Sequence, residues 1–467
     1  ARPVPSMMVS SWLLLLCCSA AAAAESTHYG IVFDAGSSGS RIHVYTWKTG
    51  GGGAKNQFDL VSDDLLKIKP GLSAFKDAPG NAGASLAPLI EFAKQKIPAH
   101  LVASTPMFLM ATAGLRMVGE TAKDAILASV CSYLVSTGFL FKSEWATLLD
   151  GHDEGLYGWV TVNYLLDGLY SGGGSPAGII DLGGGSVQIV FPTPSSDTAP
   201  KGFDTALDFG GRKHNVYVKS HLGFGLDAAR TAVLDLVAVD SREPPSHPCL
   251  PIGASLTHKG RQLSGSGDYK RCKKLIKRLF GDDDHCQWGK HHCSINGVYQ
   301  PELPTTFYGF SYLYDRTAAI GLLDGRPATF GSVRMSREDI EHAAKNICVL
   351  DQAATATRFA ATNDASKSSN FCGDAVYLTV LLDALGFDDD TVLTMTNKIK
   401  DVELVWTLGA MLAKSAELAK GAVANTSADS AEGGHFLRNV LLLLLAAAGC
   451  WYCSNKGSYS SVPRHTT

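Results

Sequence analysis

Charge is scarce in this sequence and nearly balanced: 18% of its 467 residues are charged, 41 Lys and Arg stand against 44 Asp and Glu, and the formal net charge is −3. Without a global basic surface, non-specific nucleic-acid binding is excluded as a starting function, and any polyanionic ligand must be gripped locally. N-linked glycosylation has a single acceptor, Asn425-Thr426-Ser427, on a polar linker. The length excludes a small disulfide-stapled module. At roughly 150 residues per domain it predicts two or three domains. What is present, 45% hydrophobic residues and 48 glycines, describes a loop-rich globular chain and excludes disorder over most of it.

The two ends point to the secretory route. Met7 to Ala24 is apolar, closes in small residues and precedes Glu25, the pattern of a signal peptide. Arg2 is the only positive charge ahead of it, so an uncleaved anchor is the alternative. Val440 to Cys453 runs 14 residues without a charge, between a polar stretch and a short tail carrying Lys456 and Arg464. About 20 residues span a bilayer and 10–14 suit a core helix. The position of this run reads as a membrane anchor, with a buried helix as the alternative.

Outside those ends seven cysteines remain: Cys131, Cys249, Cys272, Cys286, Cys293, Cys348 and Cys372. An odd number in an oxidising compartment predicts three bridges and one free thiol. Cys131, isolated in an apolar helical pattern, is the candidate for the thiol. Cys348 and Cys372 are expected to pair across a polar loop rich in small residues. Three pairings stay open for Cys249, Cys272, Cys286 and Cys293. The cluster of His285, Cys286, His291, His292 and Cys293 also has a zinc reading.

The most specific feature is a repeated pattern. Tyr29 to Trp47 and Ala177 to Phe191 each hold an apolar β-type run ending in Asp, a Gly- and Ser-rich turn, and a second β-type run. Each reads as a hairpin with an acid, Asp34 or Asp181, at its bend. Glycines let backbone N–H groups converge on phosphate oxygens. The two copies lie one domain apart. Between them, Phe108 to Met117 reads as a strand entering a small-residue turn. Asp153 and Glu154 stand immediately before an apolar-periodic helix containing Trp159 and Tyr164.

These segments, FDAGSSGSRIHVY, ATAGLR, DGHDEGLYGWVTVNYLL and DLGGGSVQIV, with FCGDAVY and VWTLGA further on, resemble those of the nucleoside-triphosphate diphosphohydrolases. That family includes the apyrases and Golgi nucleoside diphosphatases and belongs to the actin/hexokinase/Hsp70 superfamily. The resemblance extends from about His28 to Leu412. It implies an α/β fold of two RNase-H-like (actin-like) domains facing across a cleft, with the helix around Trp406 returning to the first. Expected limits are 1–25 for the signal or anchor, 26–175 plus 405–435 for the first domain and 176–404 for the second. A transmembrane segment over 436–453 and a polar tail over 454–467 complete the chain.

The resemblance further implies hydrolysis of the terminal phosphate of nucleoside tri- and diphosphates. Asp34 and Asp181 would hold a hydrated Ca²⁺ or Mg²⁺ through water. Ser37, Ser38, Gly39, Ser40 and Arg41, with Gly183, Gly184, Gly185 and Ser186, would cradle phosphates. Glu154 would deprotonate the attacking water, which Ser186 and Gln188 orient, and Thr112 would contact the same region. Tyr308, in the aromatic segment Phe307 to Tyr314, is a candidate for stacking on the base. The basic segment Lys270 to Phe280 reads as the solvated face of an amphipathic helix. A kinase of the same superfamily and a non-catalytic nucleotide- or carbohydrate-binding ectodomain are the alternatives. The expected setting is the Golgi lumen or the cell surface, membrane-anchored.

Overall fold

The computed structural model describes residues 25–36, 39–51, 55, 57–194, 199–239, 245–281, 286–289, 292–321, 331–362 and 364–420. Ser37, Ser38, Asn425 and both apolar end segments lie outside the described residues. No helix among the described residues is long and apolar enough to cross a membrane.

Two sheets repeat one topology. The first comprises β1 (Ser26–Ala35), β2 (Ser40–Thr49), β3 (Asp59–Ile68), β4 (Met107–Ala111) and β5 (Ala146–Leu148), in the order β3-β2-β1-β4-β5. β1–β2 and β2–β3 are antiparallel; β1–β4 and β4–β5 are parallel. The second sheet is built from β6 (Gly178–Leu182), β7 (Ser186–Pro192), β8 (Asp204–Phe209) and β9 (Arg212–Leu222). It is completed after a small sheet of β10 (Ser246–His247), β11 (Ser255–His258) and β12 (Arg261–Gly265) by β13 (Phe307–Ser311), β14 (Val333–Met335) and β15 (Leu393–Met395). Its inner order, β9-β7-β6-β13-β15, reproduces the first sheet strand for strand, with the same mixture of antiparallel and parallel pairs. β8 and β14 are additions at the two edges. The repetition agrees with the expected α/β fold of two RNase-H-like lobes.

Strand alternation gives the first sheet two apolar faces. Ile31, Phe33, Ile42 and Val44 turn to α1 (Ala87–Lys96) and α3 (Glu120–Val135), the latter entered past the short α2 (Ala113–Arg116). Val32, Tyr45 and Trp47 turn the other way, into a core shared with Ile179, Val190 and Phe310 of the second sheet. Between the sheets lie α4 (Gly151–Leu165) and a helix over 406–420. Thr161 joins these two helices: its hydroxyl donates to Val405 O and accepts from Gly409 N, both at 2.8 Å. A Cβ at Gly409 would stand 2.0 Å from Tyr157 O, so the crossing requires glycine. Trp159 and Trp406 are both buried there, each large apolar side chain contributing about 1.5–3 kcal/mol.

The outer face of the second sheet carries α5 (Leu226–Ala238), α6 (Tyr269–Lys277), α7 (Tyr312–Ala319), α8 (Arg337–Cys348), α9 (Gln352–Arg358) and α10 (Phe371–Ala384). In α6, Cys272 and Ile276 are buried while Lys270, Arg271, Lys274, Lys277 and Arg278 beside them are exposed, as amphipathic spacing predicts. Disulfides join Cys249 to Cys272, Cys286 to Cys293 and Cys348 to Cys372, all in the second lobe, and Cys131 is free. With Cys286 and Cys293 bonded to each other, neither thiolate is available to a zinc ion.

Candidate active site

Asp34 and Asp181 each stand one residue before the end of their strands, β1 and β6, at the mouth of a glycine-rich turn, with exposures of 4% and 6%. Both line a cleft of about 390 Å³, together with Arg41, Thr112, Glu154 and Gly183 to Ser186. The turn after β6 is held from behind. The carbonyl of Gly183 accepts from Leu226 N and that of Gly184 from Asp227 N and Ala228 N, at the start of α5. This contact is so close that a Cβ on Gly225 would lie 2.4 Å from Gly184 C, Gly185 N and Ser186 N. Gly185 in turn packs on Ala113, the first residue of α2, where a Cβ would meet Ala113 Cβ at 2.7 Å. The small residues of ATAGLR and DLGGGS therefore meet across the two lobes.

Burial raises the Asp181 carboxyl to about 6; the charge of Asp34 adds to this, while a hydrogen bond from Ser311 and the charge of Arg41 oppose it. Ser311 makes that bond from a backbone with φ 55°, a region that disfavours side chains and that recurs where the surrounding structure holds a functional residue in place. Arg41 donates to Asp34 Oδ2 at 2.5 Å.

Asp153 and Glu154, expected immediately ahead of the helix, both lie inside the first turn of α4. Asp150 is the N-cap and accepts from Asp153 N at 2.8 Å, so the helix begins at Gly151. Gly151, Gly155 and Gly158 share one face of α4, and this glycine face lies on the second sheet. A Cβ at Gly155 would come within 3.2 Å of Gln188 Cβ, and one at Gly151 within 2.2 Å of Ser220 Oγ. Glu154 is consequently lowered into the cleft floor, 8% exposed. Arg116 Nη2 donates to its Oε2 at 2.5 Å, and Gln188 Nε2 lies 3.5 Å from the same oxygen. Burial, followed by the opposing pull of Arg116 and the added repulsion of Asp181 and Asp34, leaves the Glu154 carboxyl raised to about 8. Gln188 Nε2 also donates to Ser186 Oγ at 2.8 Å and Ser220 Oγ at 2.9 Å. Ser186 thereby keeps its own O–H proton to donate elsewhere.

Not every expected residue reaches the cleft. Tyr308 packs against the core between the lobes and does not line it; Tyr312, at the start of α7, does. Gly39 and Ser40 do not line the cleft either; Gly39 lies against β3, where a Cβ would meet Ile68 O at 2.6 Å. Arg116, Ser220, Ser311, Lys67 and Gly225 were not anticipated. Arg116 belongs to the ATAGLR segment, and the glycine spacing of α4 is a readable sign. Ser220 and Lys67 reach the site only through strand pairing.

Comparison with known proteins agrees with this geometry. The model of the GDA1/CD39 (nucleoside phosphatase) family matches residues 20–425. Ectonucleoside triphosphate diphosphohydrolase 5 of Gallus gallus is 34% identical over 400 residues, covering 82% of this chain and 86% of its own. Nucleoside diphosphate phosphatase ENTPD5 of Homo sapiens is 35% identical over 402 residues, covering 82% and 87%. Ectonucleoside triphosphate diphosphohydrolase 6 of Rattus norvegicus is 34% identical over 398, covering 82% and 81%. Among solved structures, that of nucleoside triphosphate hydrolases from Neospora caninum aligns with a TM-score of 0.58 at 15% identity, over 83% of this chain and 92% of that one, a likeness of fold. On the family match across most of its length and these relatives, the chain belongs to the GDA1/CD39 (nucleoside phosphatase) family.

Proposed function

We propose that this chain hydrolyses the terminal phosphate of nucleoside diphosphates and triphosphates, using a divalent cation and a water activated by Glu154. The observation that carries the reading is the convergence of Asp34, Asp181 and Glu154 on one polar cleft between two glycine-rich turns. Two buried carboxylates that repel each other, as Asp181 and Asp34 do, fit a hard dication with an oxygen shell, Ca²⁺ or Mg²⁺. Bound there, the ion would offset phosphate charge and polarise the phosphoryl oxygens.

The residues divide the remaining work. Backbone N–H groups of the two turns and the Arg41 guanidinium bind phosphate oxygens. Glu154, fixed by Arg116, takes a proton from the water as its oxygen bonds to the terminal phosphorus. The bond from that phosphorus to the bridging oxygen breaks, and its electron pair leaves with the shortened nucleotide. Ser186, its hydroxyl oxygen occupied by Gln188, donates its own proton toward the water or the phosphate. With its carboxyl raised to about 8, Glu154 holds a proton at neutral pH in metal-free protein; once ionised, as the charge of a bound dication would favour, it is a stronger proton acceptor than an ordinary carboxylate. The transfer is loose, so orientation by Gln188, Ser186 and Arg116 weighs more than base strength. Three disulfides support an oxidising, secretory setting, and the membrane anchor belongs to the same reading.

Phosphate release from UDP, GDP and ATP by the purified chain is the test. Release is expected with Ca²⁺ or Mg²⁺ and absent in EDTA, with Asp34→Ala and Asp181→Ala each as damaging as chelation. Undiminished release in EDTA would overturn the role of the ion.

A further inference from the structure

A row of charge runs outward from the first phosphate turn. Asp34 of β1 is paired with Arg41 of β2, and Arg41 with Lys67 of β3. Residues directly opposed on antiparallel strands project from one face, and all three line the cleft. Arg41 is matched by Asp34. Lys67 Nζ instead donates at 2.7 Å to Oε1 of Glu403, a residue of another part of the chain. Glu403 lies on β17 (Val402–Glu403), paired with β16 (Lys398–Ile399) in the connection from β15 to the helix over 406–420. Two adjacent cations thus form a ledge with a carboxylate at either end, and the outer carboxylate reaches across from the second lobe.

The outer pair is built to exchange. Lys67 and Glu403 are 49% and 24% exposed, so solvent screens the pair and it contributes little to folding. The β16–β17 hairpin has a separate tie, Lys400 to Asp167 at 2.7 Å, and does not depend on Lys67 for its position. A phosphate beside Arg41 offers Lys67 a more highly charged acceptor than one carboxylate. We propose that Lys67 is a further phosphate-contacting residue of this cleft and that Glu403 is the counter-ion displaced by the substrate, so that the pair sets preference between a diphosphate and a triphosphate. The proposal rests on the hydrolytic reading above and names the residues of that site that respond to phosphate charge. A triphosphate carries one more negative charge; it gains more from Lys67 and is opposed more by Glu403.

Steady-state kinetics and calorimetric binding of methylene-bridged nucleoside di- and triphosphates test it on the full chain. Lys67→Met should raise KM by about 10-fold, the scale of a lost hydrogen bond to a charged group, more for the triphosphate than for the diphosphate, with kcat within about twofold; Lys67→Arg should restore most of the loss. Glu403→Gln should lower KM and raise the triphosphate to diphosphate ratio of kcat/KM by about threefold or more, on the same scale. Unchanged KM for both substrates in Lys67→Met, or kcat and Tm falling together with KM constant, overturns the proposal. Binding differences of the expected sign in a chain that releases no phosphate would sink the hydrolytic reading and leave this one standing. Normal turnover with no difference between variants would do the reverse.

Discussion

The two glycine-rich hairpins share one strand register and differ in the chemistry set across it. In each, an Asp near the end of the first strand is paired with the residue seven positions on: Asp34 with Arg41, and Asp181 with Gln188. Arg41 neutralises its Asp and leads outward to Lys67. Gln188 carries no charge and leads to Ser186, Ser220 and Glu154. Burial dominates the acids on this side: it raises Asp181 to about 6, opposed by Ser311 and the charge of Arg41, and Glu154 to about 8 despite Arg116. On the proposed function, one hairpin holds charge and the other orients a water. Duplication supplied the frame, and a single cross-strand residue in each copy divided the labour.

The strongest test of this division acts on the water side. Glu154→Gln should lower kcat by about 10²–10⁴-fold, the usual contribution of a positioned base, while a methylene-bridged nucleotide still binds. Near-normal phosphate release by this variant would remove Glu154 from the mechanism.

A smaller pair of effects sharpens the contrast. Arg41→Gln should raise KM by about 10-fold, as expected for a lost charge-assisted contact, with a lesser change in kcat. Gln188→Leu should lower kcat by about 10-fold or more, through loss of a fixed donor network, with KM little altered. If both substitutions move the same parameter, the two hairpins share one role and the comparison fails.

The smallest effect is on stability. Burial places the Glu154 carboxyl at about 8 against an ordinary 4.5, so between those values the folded chain holds a proton that the unfolded chain has released. The stability this confers is complete below pH 4.5 and is lost as pH rises through 8. In metal-free protein, Glu154→Gln should flatten the fall in Tm across that window. The wild-type loss from this group should be on the order of 2–5 kcal/mol. A Tm profile identical in the two proteins would show that Glu154 is ionised throughout.

Much of the site was legible because it is written in short segments. Asp34, the glycines and Ser186 announce themselves within hairpins whose tight turns are built of small residues. Ser311 and Lys67 carry no such local sign; one is defined by an unusual backbone beside Asp181, the other by strand register with Arg41. The aromatic segment shows the limit most plainly. Tyr308 and Tyr312 lie in one run, yet the first sits in a strand facing the core between the lobes and the second begins a helix at the cleft. Composition cannot separate them, because the direction of each side chain depends on where the strand ends.

By itself the sequence determined the two glycine-rich hairpins and the acids at their bends, since strand patterning and turn chemistry are properties of adjacent residues; the two-lobed fold was implied by the family resemblance, and the Cys348–Cys372 bridge by the cysteine count and the polar loop between them. Tertiary structure alone decided that Arg116 grips Glu154 and that Gln188 reaches Ser220. It also decided that Lys67 meets Glu403 from the other lobe. Those contacts join residues far apart in the chain, and their distances are set by how α4 lies on the second sheet and how the helix over 406–420 returns between the lobes. That packing is governed by close approaches such as Gly409 on Tyr157 and Gly155 on Gln188, where the absence of a side chain, rather than any side chain present, brings the reacting groups together.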